Sequence, residues 1–139
     1  MNRAQKMAWF NLIVILLGFA TVLLSGFMQL PHLVGAIEVV VVFVLVFTSP
    51  VFFRKKPGRV SFDERDAVIN QRAMLIGLSA AFGSIGGQIA VKLMGIGLEG
   101  SVRMYEVIAL YISGLICFIV AKSVVILIQY GWGSRDGEK

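Results

Sequence analysis

Apolar residues run along this chain in four long blocks, Met7 to Leu30, Leu33 to Phe53, Ala73 to Met94 and Met104 to Tyr130, and polar residues collect between them. A helix rises about 1.5 Å per residue and the hydrocarbon core of a bilayer is about 30 Å thick, so about 20 apolar residues cross it. Each block meets that length. Backbone groups in lipid must be paired within the segment, which an isolated helix achieves and an open strand does not. The pattern therefore predicts an all-α fold, an integral membrane bundle of four transmembrane helices forming a single domain over residues 1–139. The first block follows Arg3 and Lys6, but it is longer than the apolar stretch of a signal peptide, about 7–15 residues, and no A-x-A site follows it. It is expected to stay as a span.

The longest polar interruption, residues 54–72, has internal order. It begins with a basic run, Arg54, Lys55, Lys56 and Arg59, broken by Pro57-Gly58. Such a run attracts anionic headgroups at about 1 kcal/mol per residue. Ser61 and Glu64 then fit the S-x-x-E capping box, in which the serine side chain serves the amide three residues on and the glutamate returns the favour. A helix should start there, with Asp63, Glu64 and Asp66 near the positive end of its dipole and Arg72 close to the membrane. No proline or glycine intervenes before Gly77, so this helix is expected to continue unbroken into the third span.

Composition agrees with lipid as the solvent: 58% of residues are hydrophobic and 15% charged, against about a quarter charged in soluble domains. The net charge of +5 follows a topological pattern that needs no nucleic acid to explain it. Ten of the thirteen basic residues lie at the amino terminus (Arg3, Lys6), in the middle loop (with Arg65 and Arg72) or in the tail (Arg135, Lys139). By the positive-inside rule these segments are cytoplasmic, and so are both termini. Trp9, Phe52, Phe53, Tyr130 and Trp132 would all fall at that same interface, where aromatic rings settle.

Small and polar residues inside the spans mark where helices meet. In the third span Ser79, Gly83 and Gly87 form one stripe and Ala73, Gly77, Ala81 and Ser84 another, so two faces permit close approach. One reading is packing within the chain; the other is a homodimer through Ser79, Gly83 and Gly87. The first span carries Asn11, Gly18 and Ser25 at heptad spacing, a packing stripe. Glu38 on the second span, Gln88 and Lys92 one turn apart on the third, and Arg103 and Glu106 at the start of the fourth are expected to share an outer polar layer, in which the glutamates pair with Lys92 or Arg103 or hold a cation or proton. Lys122 lies about 160° around the helix from Glu106 at about 100° per residue, on the side of Phe118. It either snorkels to the headgroups or meets an acid of the middle loop or of another subunit.

Several chemistries find no support. Gly95, Gly97 and Gly100 match G-x-G-x-x-G in form, but between two spans they lack the βαβ unit the dinucleotide fingerprint requires. One histidine, His32, cannot supply paired haem ligands, and one cysteine, Cys117, excludes dithiol exchange. No serine, histidine and acid set can be assembled, so no enzyme activity and no cofactor are expected.

The segment "DERDAVINQRA" resembles the D-E-R-x-x-x-I stretch in the cytoplasmic loop of small prokaryotic four-span proteins of an uncharacterised, DUF2178-like family, with matches at Asp63, Glu64, Arg65, Ile69 and Ala73. Gln71 and Arg72 depart from that family's basic ending. The resemblance covers about eleven residues and the order of spans, and implies a prokaryotic inner-membrane protein without an attached activity. The expected role is a non-enzymatic regulatory, immunity or accessory subunit, with Asp63, Glu64, Arg65, Asp66 and Arg72 as a docking surface for a protein partner. The alternative is a small oligomeric transporter using Glu38. Small multidrug transporters also have four spans and an intramembrane glutamate, but in the first helix, and the first span here has no acid.

Overall fold

The computed structural model describes residues 3–29, 32–53, 64–96 and 101–132. They form four helices, α1 (Arg3–Phe27), α2 (His32–Phe52), α3 (Glu64–Ile96) and α4 (Met104–Trp132), with no strand among the described residues. All four are long and apolar enough to cross a membrane. Bulky apolar side chains stand outward along them, Leu16 at 70% exposure and Phe82 at 72% among many others, an outer surface that water would penalise and hydrocarbon does not. The chain is a multi-pass membrane protein. It falls into two compact units, residues 1–62 with 126–139, and residues 63–125.

In the first unit α1 and α2 run antiparallel. Gly18 makes the close approach possible: a Cβ there would collide with Val42 Cγ2, so only the bare backbone admits the valine. Near one end of this hairpin Phe10 meets Phe53 edge-on with ring centroids 5.6 Å apart, and Arg3 Nη2 donates to the Pro50 carbonyl at 3.3 Å. The heptad stripe of the first span is the packed face, for Gly18 and Ser25 are buried. α1 ends at Phe27, sooner than the apolar run to Leu30 suggests, because Gln29 takes a left-handed φ of 52° and closes a turn onto the Gly26 carbonyl. Pro50 lies in the last turns of α2, where its missing N–H costs a single ladder bond and the helix stops two residues later.

In the second unit α3 and the part of α4 up to residue 125 form another antiparallel hairpin. A Cβ on Gly77 would lie 2.9 Å from Phe118 Cδ2 and 3.0 Å from the Phe118 carbonyl oxygen, and one on Gly114 would lie 2.6 Å from Ile85 Cδ1. Two glycines, one from each helix, thus set the spacing. The stripe Ala73, Gly77, Ala81 and Ser84 contains this contact, and Ala73 is fully buried. The other stripe is open: no atom comes within 4 Å of where a Cβ would stand on Gly83 or Gly87, and Ser79 is exposed. α3 is continuous from Glu64, as the lack of proline or glycine before Gly77 predicts; the proposed cap at Ser61, with Asp63 and the Pro57-Gly58 break, lies outside the described residues.

Candidate functional site

Polar side chains follow the α3/α4 seam in a ladder. Ser84, Gln88 and Lys92 recur every four residues and so share one face of α3. Gln88 Nε2 donates to Ser84 Oγ at 3.1 Å and to Ser113 Oγ on α4 at 2.7 Å, and Ser113 passes its own proton to the Leu110 carbonyl at 2.8 Å. Four residues further along α3, Lys92 Nζ meets Glu106 Oε2 at 2.6 Å. Of the two cations expected to pair with the glutamates, Lys92 makes the ion pair, while Arg103 turns to the Tyr105 hydroxyl at 3.5 Å. The side chains of Lys92 and Glu106 keep 36% and 25% of their exposure, so the pair is partly solvated and its main effect is to fix register. Every donor on Gln88 Nε2 has a partner, so the ladder behaves as interhelical glue.

Glu38 belongs to the other hairpin. Ser25 has a single proton and two acceptors for it, the Val22 carbonyl at 3.0 Å and Glu38 Oε2 at 3.2 Å, so the carboxyl receives a shared hydrogen bond. Among the described residues no cation pairs with Glu38. Further along the same seam two buried polar atoms lack any partner, Asn11 Oδ1 and Ser49 Oγ. Ser49 is 1% exposed and was invisible to stripe counting, since it is the only small polar residue on its face of α2; the signal available was its place beside Pro50, where the helix ladder is already broken.

Lys122 is half-buried, and its ammonium lies over the Phe118 ring, 5.9 Å from the centroid. Phe118 is one turn earlier in α4, so the cation is turned towards the helix interior. At the start of α3, Arg65, Asn70, Gln71 and Arg72 are exposed, Asp66 is half-buried, and Ile69 and Ala73 face inward. Glu64 opens the helix. Asp63, the basic residues Arg54, Lys55, Lys56 and Arg59, and Gly97 and Gly100 lie outside the described residues.

No family model, curated protein or solved structure matches this chain.

Proposed function

We propose that the protein is a non-enzymatic subunit of the cell (inner) membrane that works by contact, in a regulatory, immunity or accessory role, through the first turns of α3. The observation supporting this reading is the length of that helix. Its 33 residues extend about 50 Å, whereas crossing hydrocarbon takes about 30 Å, so some 20 Å of regular helix is left over. With the basic loop cytoplasmic, most of the surplus lies at the Glu64 end, where residues 64–72 precede the apolar block and rise about 13 Å. It is a rigid arm with one face fixed inward by Ile69 and Ala73 and the other offering Arg65, Asn70, Gln71 and Arg72. In the sequence Asp63 and Glu64 bring negative charge to its start, and the basic residues Arg54, Lys55, Lys56 and Arg59 that precede them are suited to anionic headgroups. Reversing Arg65 and Arg72 to glutamate together should release the partner from full-length protein purified in mild detergent, while leaving membrane insertion intact. Retention of the same partner by the reversed variant would sink this reading.

Glu38 supports a second reading, a small transporter that oligomerises through the open stripe of Ser79, Gly83 and Gly87. An intramembrane carboxyl with a shared hydrogen bond and no described counter-ion is a candidate proton or cation site. Under this reading Glu38→Gln abolishes a proton- or cation-dependent flux in proteoliposomes and the Arg65/Arg72 reversal does not.

A further inference from the structure

The α1/α2 seam holds two polar groups that the helices bury without satisfying. One heptad along the antiparallel pair from the Gly18–Val42 contact come Asn11 on α1 and Ser49 on α2. A heptad returns a residue to the same face of its helix, so this second pair faces across the seam as the first does. Phe10, beside Asn11, meets Phe53, one turn beyond Ser49, and keeps the same register. Ser49 is 1% exposed, and neither its hydroxyl nor Asn11 Oδ1 has a partner in the protein.

Ser49 departs from the habit of its fellow hydroxyls. Thr21, Ser25, Thr48, Ser79 and Ser113 each donate to a carbonyl three or four residues earlier, at 2.7–3.0 Å. Ser49 makes no such bond. Its neighbour Pro50 crowds the carbonyl of Val46 with its ring and has no N–H to offer it. One turn of α2 therefore presents a hydroxyl proton in need of an acceptor and a carbonyl in need of a donor, and Asn11 Oδ1 faces them as a second acceptor.

These three needs fit one small molecule. Water supplies two protons and a lone pair, and three bonds are the usual complement of a buried water. A metal cation would draw on the oxygens but leave the Ser49 proton without an acceptor, and an anion would meet two acceptors. The burial of Ser49 keeps out anything as large as a partner's side chain or a lipid headgroup. We propose that one water molecule is bound in the α1/α2 seam, donating to Asn11 Oδ1 and to the Val46 carbonyl and accepting from Ser49 Oγ. It ties α2 to α1 at the turn where proline interrupts the ladder of α2, and it does so whichever partner the chain meets.

The test uses the full chain in lipid bilayers, labelled at asparagine and serine and followed by proton-detected magic-angle-spinning NMR, with water itself as the probe. Asn70, exposed on α3, reports contact with bulk solvent. The expected result is a dipolar cross-peak from a slowly exchanging water to the Asn11 side-chain amide and to the Ser49 β protons, distinct from the fast exchange at Asn70. In Asn11→Leu, which is close to the original in size, one proton of the water loses its acceptor, so the Ser49 peak falls at least tenfold while unshifted Ser25 signals show an intact hairpin. In Ser49→Ala the water is left with an unbonded lone pair only, the smaller loss, so its peak at Asn11 stays. Absence of a water peak at both residues in the unaltered chain, or an undiminished Ser49 peak in Asn11→Leu, would overturn the proposal.

Discussion

Gly77 gives the sharpest stability prediction, because the cost of adding one methyl group can be isolated from everything else the substitution does. In Gly77→Ala the new Cβ lies 2.9 Å from the Phe118 ring and 3.0 Å from the Phe118 carbonyl oxygen. The ring can tilt, but the carbonyl is backbone, so α3 and α4 must separate by several tenths of an ångström along a packed seam. Overpacking of this kind costs about 1–3 kcal/mol. Replacing a mid-helix glycine also brings back up to about 1 kcal/mol of helix propensity. Gly83→Ala supplies the control on the same helix, since nothing stands within 4 Å of its Cβ and only the propensity gain applies. Subtracting one from the other cancels propensity and leaves about 1–3 kcal/mol in favour of the Gly83 variant. Reversible unfolding in mixed micelles, followed by a fluorophore pair across the α3/α4 hairpin, reads that difference. Equal stability of the two variants would mean that the Gly77 stripe is not the packed face.

Three further substitutions probe the polar groups within the spans. A double-mutant cycle on Gln88→Ala and Ser113→Ala should give a coupling of about 0.6–1.7 kcal/mol, the range of interhelical hydrogen bonds in bilayers, and zero coupling would contradict the 2.7 Å contact. Ser49→Ala removes a buried hydroxyl that has no partner in the protein, so thermal unfolding should be unchanged or stabilised by up to about 1 kcal/mol; a clear loss would reveal a hydrogen bond to the protein at that site. Lys122→Leu should ease insertion of α4 by about 2 kcal/mol in a translocon-based insertion assay, because it removes a cation from within an apolar block, where its ammonium lies over the Phe118 ring. Unchanged insertion would show that the ammonium is solvated at the headgroups.

The spans, the unbroken run of α3 from Glu64 and a charged pairing of the glutamates with Lys92 or Arg103, of which Lys92–Glu106 is the one formed, were legible in the sequence, for a physical reason. Length of apolar run, absence of helix breakers and charge at a span end are one-dimensional properties. Which face of a span packs inward is legible only where a single stripe marks it, as Gly18 and Ser25 do on α1. On α3 nearly every other residue of the span is apolar, and both small-residue stripes look equally fit to meet a neighbour. Contact with Phe118 selects the Gly77 stripe and leaves Gly83 and Gly87 open. Depth along a span groups Glu38 with Gln88 and Lys92 but does not show which side chain it touches; that partner is Ser25, across the α1/α2 seam. The direction of Lys122 was hidden as well, since a stem long enough to snorkel gives no sign in the sequence of which way it bends. Gln29 ends α1 early by a left-handed turn that glycine or asparagine would have announced and glutamine does not.

The claim that the first turns of α3 form a contact arm is tested most directly by a photo-crosslinking scan through residues 65–73 in living cells. The account predicts one defined protein adduct from the outward positions 65, 70, 71 and 72, and none from Ile69 or Ala73, which are turned inward. Adducts to lipid alone, or equal yield from inward and outward positions, would contradict it.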